Sequence, residues 1–175
     1  MTGEMYSTRP AVEADIPAVT EIVNAMIGST TYEWTELLHT PDERMRWWHE
    51  KRSAGFPVLV AVEDDAVVGV ASYGDFRDSS RWPGYRFTVE HSVHVAGTHW
   101  SRGIGRGLMS ALVDCARRDG KRVMVAGIDA SNVRSIGFHA RLGFEEVARM
   151  PGVGDKWGQR LTLVLMQCEL AHVDW

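Results

Sequence analysis

The stretch Trp100-Ser101-Arg102-Gly103-Ile104-Gly105-Arg106-Gly107 decides the fold of this chain, because it joins a strand-like segment to a helix-like one. Before it, residues 87–95 alternate between apolar and polar side chains, which predicts a strand with one polar face. After it, residues 108–116 have apolar side chains at helical spacing. Glycines between strand and helix let the backbone approach an anion, and a helix N-terminus offers N–H groups to it. The stretch therefore predicts a phosphate-binding turn.

Two common phosphate-binding turns do not fit these residues. A Walker A loop requires Lys and then Ser or Thr after its last glycine, whereas Gly107 precedes Leu108 and Met109. A dinucleotide-binding turn requires G-x-G-x-x-G in the first βαβ unit, whereas here the glycines alternate and follow several strands. A glycine-rich turn that serves only tight packing remains an alternative.

Length and composition indicate one compact soluble domain. The chain has 175 residues and a net charge of -4, from 19 basic and 23 acidic residues, so no global attraction to nucleic acid or to an anionic membrane is expected. No apolar run approaches the roughly 20 residues of a membrane span. The first residues lack the pattern of a secretory signal, which favours a cytoplasmic location. Cys115 and Cys168 have no metal-ligand spacing, so we expect free thiols and no metal.

The remaining elements extend outward from the turn on both sides. On the N-terminal side we expect a strand at 6–10, helices at 16–27 and from Thr40, and a hairpin formed by residues 58–62 and 67–73. On the C-terminal side we expect a strand at 123–128, a helix from Ser131 or Asn132 to about Gly143, and a last strand at 161–170. This order predicts an α/β fold in which helices cover a mixed sheet.

Two motifs resemble those of the GNAT acetyltransferase superfamily. Residues 100–105 resemble its [Q/R]-x-x-G-x-[G/A] turn, although Trp100 departs from the first position. Asn132, Ser135, His139, Gly143 and Phe144 resemble its N-x-x-[A/S]-x-x-x-[Y/H]-x-x-x-G-F segment. The two motifs follow each other in the expected order, so they support each other.

Further blocks narrow the resemblance to one branch. Residues 73–77, 88–93, 123–128 and 150–158 look like the phosphinothricin and methionine sulfoximine or methionine sulfone N-acetyltransferases. The resemblance implies a single GNAT domain over residues 1–175, with a mostly antiparallel sheet, a splayed parallel strand pair and about four helices. It also implies acetyl-CoA as cosubstrate, acetylation of the α-amine of an amino-acid-like toxin, a detoxifying role and a homodimer.

The resemblance places two catalytic residues. Glu90 is the only carboxylate on the polar face of its strand and matches the branch's general base, which must deprotonate an ammonium group. An unperturbed Glu has a pKa near 4.3, so burial or a water relay is needed. His139 stands where many relatives have a proton donor for the CoA thiolate. A surface carboxylate and a packing histidine are the respective alternatives.

The cofactor residues implied by the resemblance lie on three segments. A main-chain N–H of the polar strand is expected to bind the oxyanion of the tetrahedral intermediate, and the turn and the following helix are expected to hold the pyrophosphate and the pantetheine. These residues are Val93, His94, Val95, Trp100, Ser101, Arg102, Gly103, Ile104, Gly105, Arg106, Asn132 and Ser135.

Arg77 and Arg86 match the substrate arginines of the branch, and a guanidinium suits an α-carboxylate because both are planar and bidentate. Trp34 and Phe76 are expected to form apolar walls for a methionine-like side chain. Solvated arginines and core aromatics are the alternatives. Compared with the branch that the chain resembles, residues 78–84 are expected to form a longer loop beside the substrate arginines.

Two other functions stay open at this stage. One is acetylation of a peptide or protein amine, which would call for an open acidic groove. The other is a non-catalytic CoA-binding regulatory module, against which the retention of Glu90, Asn132 and the glycines argues.

Overall fold

A computed structural model describes residues 6–173 of the chain. Its strands form a seven-stranded sheet in the order β1-β2-β3-β4-β5-β7-β6. The strands are β1 Ser7–Pro10, β2 Val58–Glu63, β3 Ala66–Asp75, β4 Thr88–Val95, β5 Val123–Asp129, β6 Glu145–Lys156 and β7 Gln159–Glu169. The helices are α1 Ile16–Ser29, α2 Pro41–Ser53, α3 Ile104–Arg118 and α4 Val133–Arg141. The predicted mixed α/β fold is confirmed.

The sheet contains a parallel pair of strands among antiparallel ones. β4 and β5 are parallel, with Thr88 to Glu90 opposite Val123 to Val125, while β5–β7 and β6–β7 are antiparallel. The parallel register covers only three residues of each strand, although both strands are longer. This short ladder agrees with the splayed parallel pair that the sequence resemblance implies.

The sequence analysis did not anticipate β6. This strand has mostly exposed side chains and an irregular register with β7, with shifts between Glu146 and Ala148 and between Met150 and Gly154. Irregular pairing and two glycines remove the clean alternation by which a strand is recognised.

Local signals explain where the helices begin and end. The Thr40 hydroxyl accepts from Glu43 N–H at 3.2 Å and the Glu43 carboxylate accepts from Thr40 N–H at 2.8 Å, a capping box that starts α2 where the sequence predicts a helix. Asn132 Oδ1 accepts from Ser135 N–H at 3.1 Å and so caps α4. Gly143, which follows α4, has a φ of +80°, the conformation that favours glycine after a helix.

The chain divides into two compact units. The first contains the described residues up to Asn24, His39–Gly74 and Ser92–Cys115, and the second contains Ala25–Leu38, Asp75–His91 and the described residues from Ala116 onward. In the first unit, a Cβ at Gly69 would be 2.9 Å from Leu108 Cδ1 and 3.4 Å from Ile104 Cγ2. Gly69 therefore lets the buried face of α3 pack closely on β3.

The core of the second unit lies between α4 and its strands. His139 and Phe144 are 2% exposed, and Val164 and Met124 are 0% exposed. Among residues 6–173, no helix combines the length and the apolarity that a membrane-crossing segment needs.

Candidate active site

The predicted phosphate turn is held in a conformation that suits its main chain for ligand binding. Ser101 and Gly103 have φ values of +63° and +85°. The Gly107 N–H donates to Gly103 O at 3.0 Å, an early hydrogen bond of α3. The N–H groups of Ile104, Gly105 and Arg106 therefore belong to the first turn, where a helix offers them no acceptor of its own. This donor set, with the positive end of the helix dipole, fits a pyrophosphate.

Tyr6 supports this turn from the side. Its hydroxyl donates to Gly103 O at 3.1 Å. A Cβ on Gly107 would lie 3.0 Å from Tyr6 Cε2 and closer still to the hydroxyl oxygen. Packing against Tyr6 thus explains why residue 107 is glycine, whereas the positive φ explains why residue 103 is glycine. The alternative that the glycines serve only tight packing therefore applies to part of the turn.

Trp100, the departure from the family pattern, has a definite structural role. Its indole Nε1 donates to Val95 O, the last residue of β4, at 2.7 Å. The side chain thereby ties the beginning of the turn to the end of the strand. Trp100 changes how the turn is supported, while the N–H groups from Ile104 to Arg106 remain those of the first turn of α3.

Arg102 is ion-paired, which the sequence did not predict. Its guanidinium donates to both oxygens of Glu63, at 2.8 and 2.9 Å, and His99 Nε2 lies 3.1 Å from the same carboxylate. Glu63 is the last residue of β2, so this pair anchors the turn to the β2–β3 hairpin. Of the two predicted phosphate arginines, Arg106 is exposed on the first turn of α3.

The β4 residues predicted to bind the acetyl group, Val93, His94 and Val95, are half-buried. Ala96 N–H donates to Val68 O at 2.9 Å, which keeps the end of β4 beside β3. Side chains alternate along β4, so His94 lies on the same face as Glu90, whereas Val93 and Val95 lie on the other.

Glu90 has an exposed side chain between the buried residues Val89 and His91. A Cβ at Gly127 would lie 3.0 Å from Glu90 Oε1, so the carboxylate occupies the space that a side chain at Gly127 would need. Exposure favours the water relay over burial as the way in which this carboxylate would act as a base.

His139 lies within an aromatic cluster. Its ring stacks on His91, with centroids 5.1 Å apart, and meets Phe138 and Phe144 edge-on. Its Nδ1 lies 2.7 Å from Ser135 O, which requires the proton on Nδ1 and leaves Nε2 as the acceptor. Burial lowers the pKa of His139, although the bond to Ser135 opposes this. These observations favour the packing alternative over proton donation.

The other α4 residues with predicted roles lie at its first turn. The Asn132 side chain caps the helix, and Ser135 Oγ lies 3.3 Å from His139 Nδ1. Both residues are half-buried, so they retain a solvent-facing side.

The two predicted substrate arginines are exposed and rest on aromatic rings. The Arg86 guanidinium lies 4.2 Å from the centre of the Phe87 ring and donates to Pro83 O at 2.9 Å. The Arg77 guanidinium lies 5.6 Å from the rings of both Phe76 and Tyr85. Such contacts restrict the side chains while leaving guanidinium donors for an anion.

Trp34 makes a polar contact that the sequence did not indicate. Its indole Nε1 donates to Asp129 Oδ2 at 3.0 Å, and the residue is half-buried. The partners are 95 residues apart in the chain, so no local pattern could have linked them.

Among the described residues, no group of three or more His, Cys, Asp or Glu side chains is arranged to hold a metal ion.

The profile of the acetyltransferase (GNAT) family matches residues 19–144, well over half of the chain. The chain belongs to the GNAT acetyltransferase family. The family and the enzyme class predicted from the sequence, an acetyl-CoA-dependent N-acetyltransferase, are therefore confirmed.

Two named relatives represent the branch. The chain of this GNAT acetyltransferase is 46% identical to the L-methionine sulfoximine/L-methionine sulfone acetyltransferase of Salmonella typhimurium, over 93% of each chain. It is 32% identical to the phosphinothricin N-acetyltransferase of Alcaligenes faecalis, over 92% of this chain and 81% of that one.

Two solved structures share the fold. YncA from Salmonella typhimurium, solved with its cofactor acetyl-CoA, superimposes with a TM-score of 0.90 at 43% identity, covering 98% of this chain and 97% of that one. A ribosomal-protein-alanine N-acetyltransferase from Brucella melitensis has a TM-score of 0.89 at 41% identity, over 93% and 99%. A protein that was solved with acetyl-CoA thus shares the architecture described above.

Proposed function

We propose that this enzyme transfers the acetyl group of acetyl-CoA to the α-amine of a small amino-acid-like substrate of the methionine sulfone, methionine sulfoximine or phosphinothricin type. The observation that best supports it is the combination of an exposed carboxylate at Glu90, with glycine beside it, and the ring-supported guanidinium of Arg86. The 46% identical relative is named for the first two substrates. Detoxification of such compounds is the physiological role that we infer.

Main-chain groups of the turn bind the pyrophosphate in this proposal. The N–H groups from Ile104 to Arg106 supply the donors, and the positive φ of Ser101 and Gly103 turns the backbone toward the anion. The first turn of α4, with Asn132 and Ser135, lies along the pantetheine. Arg102 contributes through its main chain, because its guanidinium is paired with Glu63.

Glu90 accepts a proton from the substrate ammonium through a water molecule, which leaves a nucleophilic amine. The amine attacks the thioester carbonyl, and a main-chain N–H between Val93 and Val95 stabilises the resulting oxyanion. Collapse of this intermediate breaks the carbon–sulfur bond, and the proton lost by the attacking nitrogen passes through water to the CoA thiolate, which leaves the N-acetyl amino acid and CoA. The base and the oxyanion donor lie on one strand, only three to five residues apart.

His139 has a positional role in this proposal. Burial keeps the ring neutral by lowering its pKa, and the Nδ1–H bond to Ser135 O places the one remaining proton on Nδ1, so Nε2 has no proton to give. Its stacking on His91, the residue after Glu90, supports β4 next to the proposed base.

Arg86 and Arg77 bind the substrate α-carboxylate, and Trp34 and Phe76 contact its side chain. A carboxylate clamp favours free amino acids over peptides, whose α-carboxylate is lost at every residue except the last. The 41% identical Brucella protein, named for a protein substrate, makes acetylation of a protein N-terminus the second candidate.

We also propose a homodimer and a cytoplasmic location. β6 is at the edge of the sheet and exposes Val147, Met150 and Val153. An edge strand with exposed apolar side chains is a surface that proteins usually cover. Sedimentation at several concentrations tests the dimer, and a purely monomeric enzyme would contradict it.

A single catalytic domain over residues 1–175 remains a prediction.

The base assignment is tested with Glu90→Gln. We expect kcat to fall about 100- to 10,000-fold, the usual contribution of a general base, while CoA affinity measured by calorimetry stays within twofold. Asp75→Asn is the matched control, since Asp75 is a carboxylate at the end of β3 whose oxygen accepts from Ser79. Equal turnover by wild-type and Glu90→Gln enzyme would remove Glu90 from the mechanism.

A further inference from the structure

Asp129 is a buried carboxylate without a role in the reaction proposed above. It is 4% exposed and ends β5. Oδ2 accepts from Trp34 Nε1 at 3.0 Å, and Oδ1 accepts from the Ser131 main-chain N–H at 2.8 Å. Burial alone would raise the pKa of Asp129, but hydrogen bonds from Ser131, Trp34 and Thr31 outweigh it and lower that pKa. The carboxylate is therefore a charged and well-fixed acceptor.

The Trp34 indole is held on a second side by Gly154 of β6. A Cβ at Gly154 would lie 2.9 Å from Trp34 Cδ2 and closer still to Cε3 and Cζ3, so the ring lies directly against the glycine backbone. With Nε1 bonded to Asp129 and the six-membered ring against Gly154, the indole is held at two points. Because the residue is only half-buried, part of the ring remains accessible.

The loop that precedes and follows Trp34 is also fixed. Lys156 is 1% exposed, and its Nζ donates to the carbonyls of Ile27, Thr30 and Glu33 at 2.6, 2.6 and 2.8 Å. The Trp157 N–H donates to Glu36 Oε1 at 2.8 Å. Residues 30–36 are thus attached to the β6–β7 hairpin on both sides of Trp34. A loop anchored in this way offers a rigid surface.

We propose that Asp129 is a positioning residue that holds the Trp34 indole as a rigid wall for the substrate side chain. This rests on the proposed function, and in particular on the substrate-binding role of Trp34. Selection for a long side chain then depends on the Asp129–Trp34 hydrogen bond, whereas acetyl transfer does not. The enzyme accordingly favours amino acids whose side chains reach the indole over those, such as alanine, whose side chains end at Cβ.

Asp129→Asn is the first test, because an asparagine oxygen can accept from Trp34 or from Ser131 but its amide nitrogen can accept from neither. For L-methionine sulfone we expect KM, and Kd measured calorimetrically with CoA present, to rise about tenfold, which corresponds to loss of one charged hydrogen bond. We expect kcat and the acetyl-CoA KM to change less than twofold. The KM for L-alanine, whatever its value, should also be unchanged.

A double-mutant cycle separates positioning from simple stability. Trp34→Phe keeps an aromatic ring but removes the Nε1 donor, so adding Asp129→Asn to Trp34→Phe should raise the methionine sulfone KM less than twofold further. Gly154→Ala displaces the indole from its other side without touching Asp129 and should raise the same KM. Gly28→Ala, where an added Cβ meets nothing within 4 Å, is its control and should leave KM unchanged.

The proposal would be overturned if Asp129→Asn and Trp34→Phe raised the methionine sulfone KM additively. It would also be overturned if Asp129→Asn raised the acetyl-CoA KM as much as the methionine sulfone KM, because Asp129 would then act only on the loop before α4. If Asp129→Asn does not fold, an unchanged KM in the Gly154→Ala enzyme would overturn it. If the wild-type enzyme binds methionine sulfone without acetylating it, only the proposed acetyl transfer is contradicted. The double-mutant cycle can then be measured with calorimetric Kd values in place of KM, and it still tests Asp129. Wild-type enzyme that binds no amino acid contradicts both.

Discussion

Gly127 of β5 lies against the carboxylate of Glu90 on β4, where an added Cβ would be 3.0 Å from Glu90 Oε1. The two strands are paired in parallel up to this point, with Glu90 opposite Val125, so Gly127 comes two residues beyond the end of the ladder. A glycine there leaves room for the carboxylate on the face that the proposed substrate must approach.

Gly127→Ala should therefore displace the Glu90 carboxylate by a few tenths of an ångström. Because proton transfer depends steeply on geometry, we expect kcat to fall about tenfold, with little change in the acetyl-CoA KM. Steady-state kinetics with methionine sulfone provide the measurement, with Gly28→Ala as the matched glycine control. Wild-type kcat in Gly127→Ala would mean that this contact has no bearing on catalysis.

Arg86→Ala should weaken binding of the amino acid. Loss of a bidentate carboxylate contact is expected to raise its KM roughly 10- to 100-fold while the acetyl-CoA KM stays constant. Arg86→Lys should recover only part of this loss, because Lys keeps the charge but not the planar fork. Arg81→Ala, a neighbouring exposed arginine that rests on Trp82, is the control. An unchanged amino-acid KM in Arg86→Ala would exclude the carboxylate clamp.

Gly107→Ala should act on the cofactor side alone. The new methyl group collides with the Tyr6 ring, and the turn must shift because Tyr6 also donates to Gly103 O. We expect the acetyl-CoA Kd to rise about tenfold, by calorimetry, as the N–H groups lose their alignment. Gly97→Ala, where an added Cβ meets nothing within 4 Å, should bind like the wild type. Equal affinities in both variants would show that the turn tolerates the collision.

Protein stability should decrease in mild acid because of His139. Burial holds the pKa of His139 below the ordinary value of about 6.5, so between these values the unfolded chain binds a proton that the folded chain does not. The free energy of unfolding therefore falls as the pH drops below about 6.5. Urea unfolding from pH 7 to 5 should show a shallower decline for His139→Gln, and the wild-type slope for the exposed control His49→Gln. Parallel slopes in all three proteins would contradict this.

Local patterns predicted much of this fold. The start of α2 after Thr40, the hairpin of residues 58–62 and 67–73, and a helix through residues 108–116 all follow from residues a few positions apart. The glycine turn and the segment from Asn132 follow each other in the order found in the GNAT family, and this order supported the family prediction.

Long-range polar contacts escaped prediction. The Arg102–Glu63 pair spans 39 residues, and the Lys156 contacts with the loop before Trp34 span 123 to 129 residues. A lysine with 1% exposure looks like a surface residue in the sequence, because nothing near it indicates three carbonyl partners. The tautomer and the burial of His139 were also beyond the sequence, because they depend on the contact with Ser135 O and on the packing of the fold.

Release of free thiol from acetyl-CoA, followed with a panel of methionine sulfone, methionine sulfoximine, phosphinothricin and a peptide amine, tests the central claim most directly. We predict that thiol appears with at least one of the three amino-acid derivatives, that NMR of the product places the acetyl group on its α-amine, and that kcat/KM for the peptide is far lower. Binding of CoA without thiol release for any of these amines, or release with the peptide alone, would contradict the account.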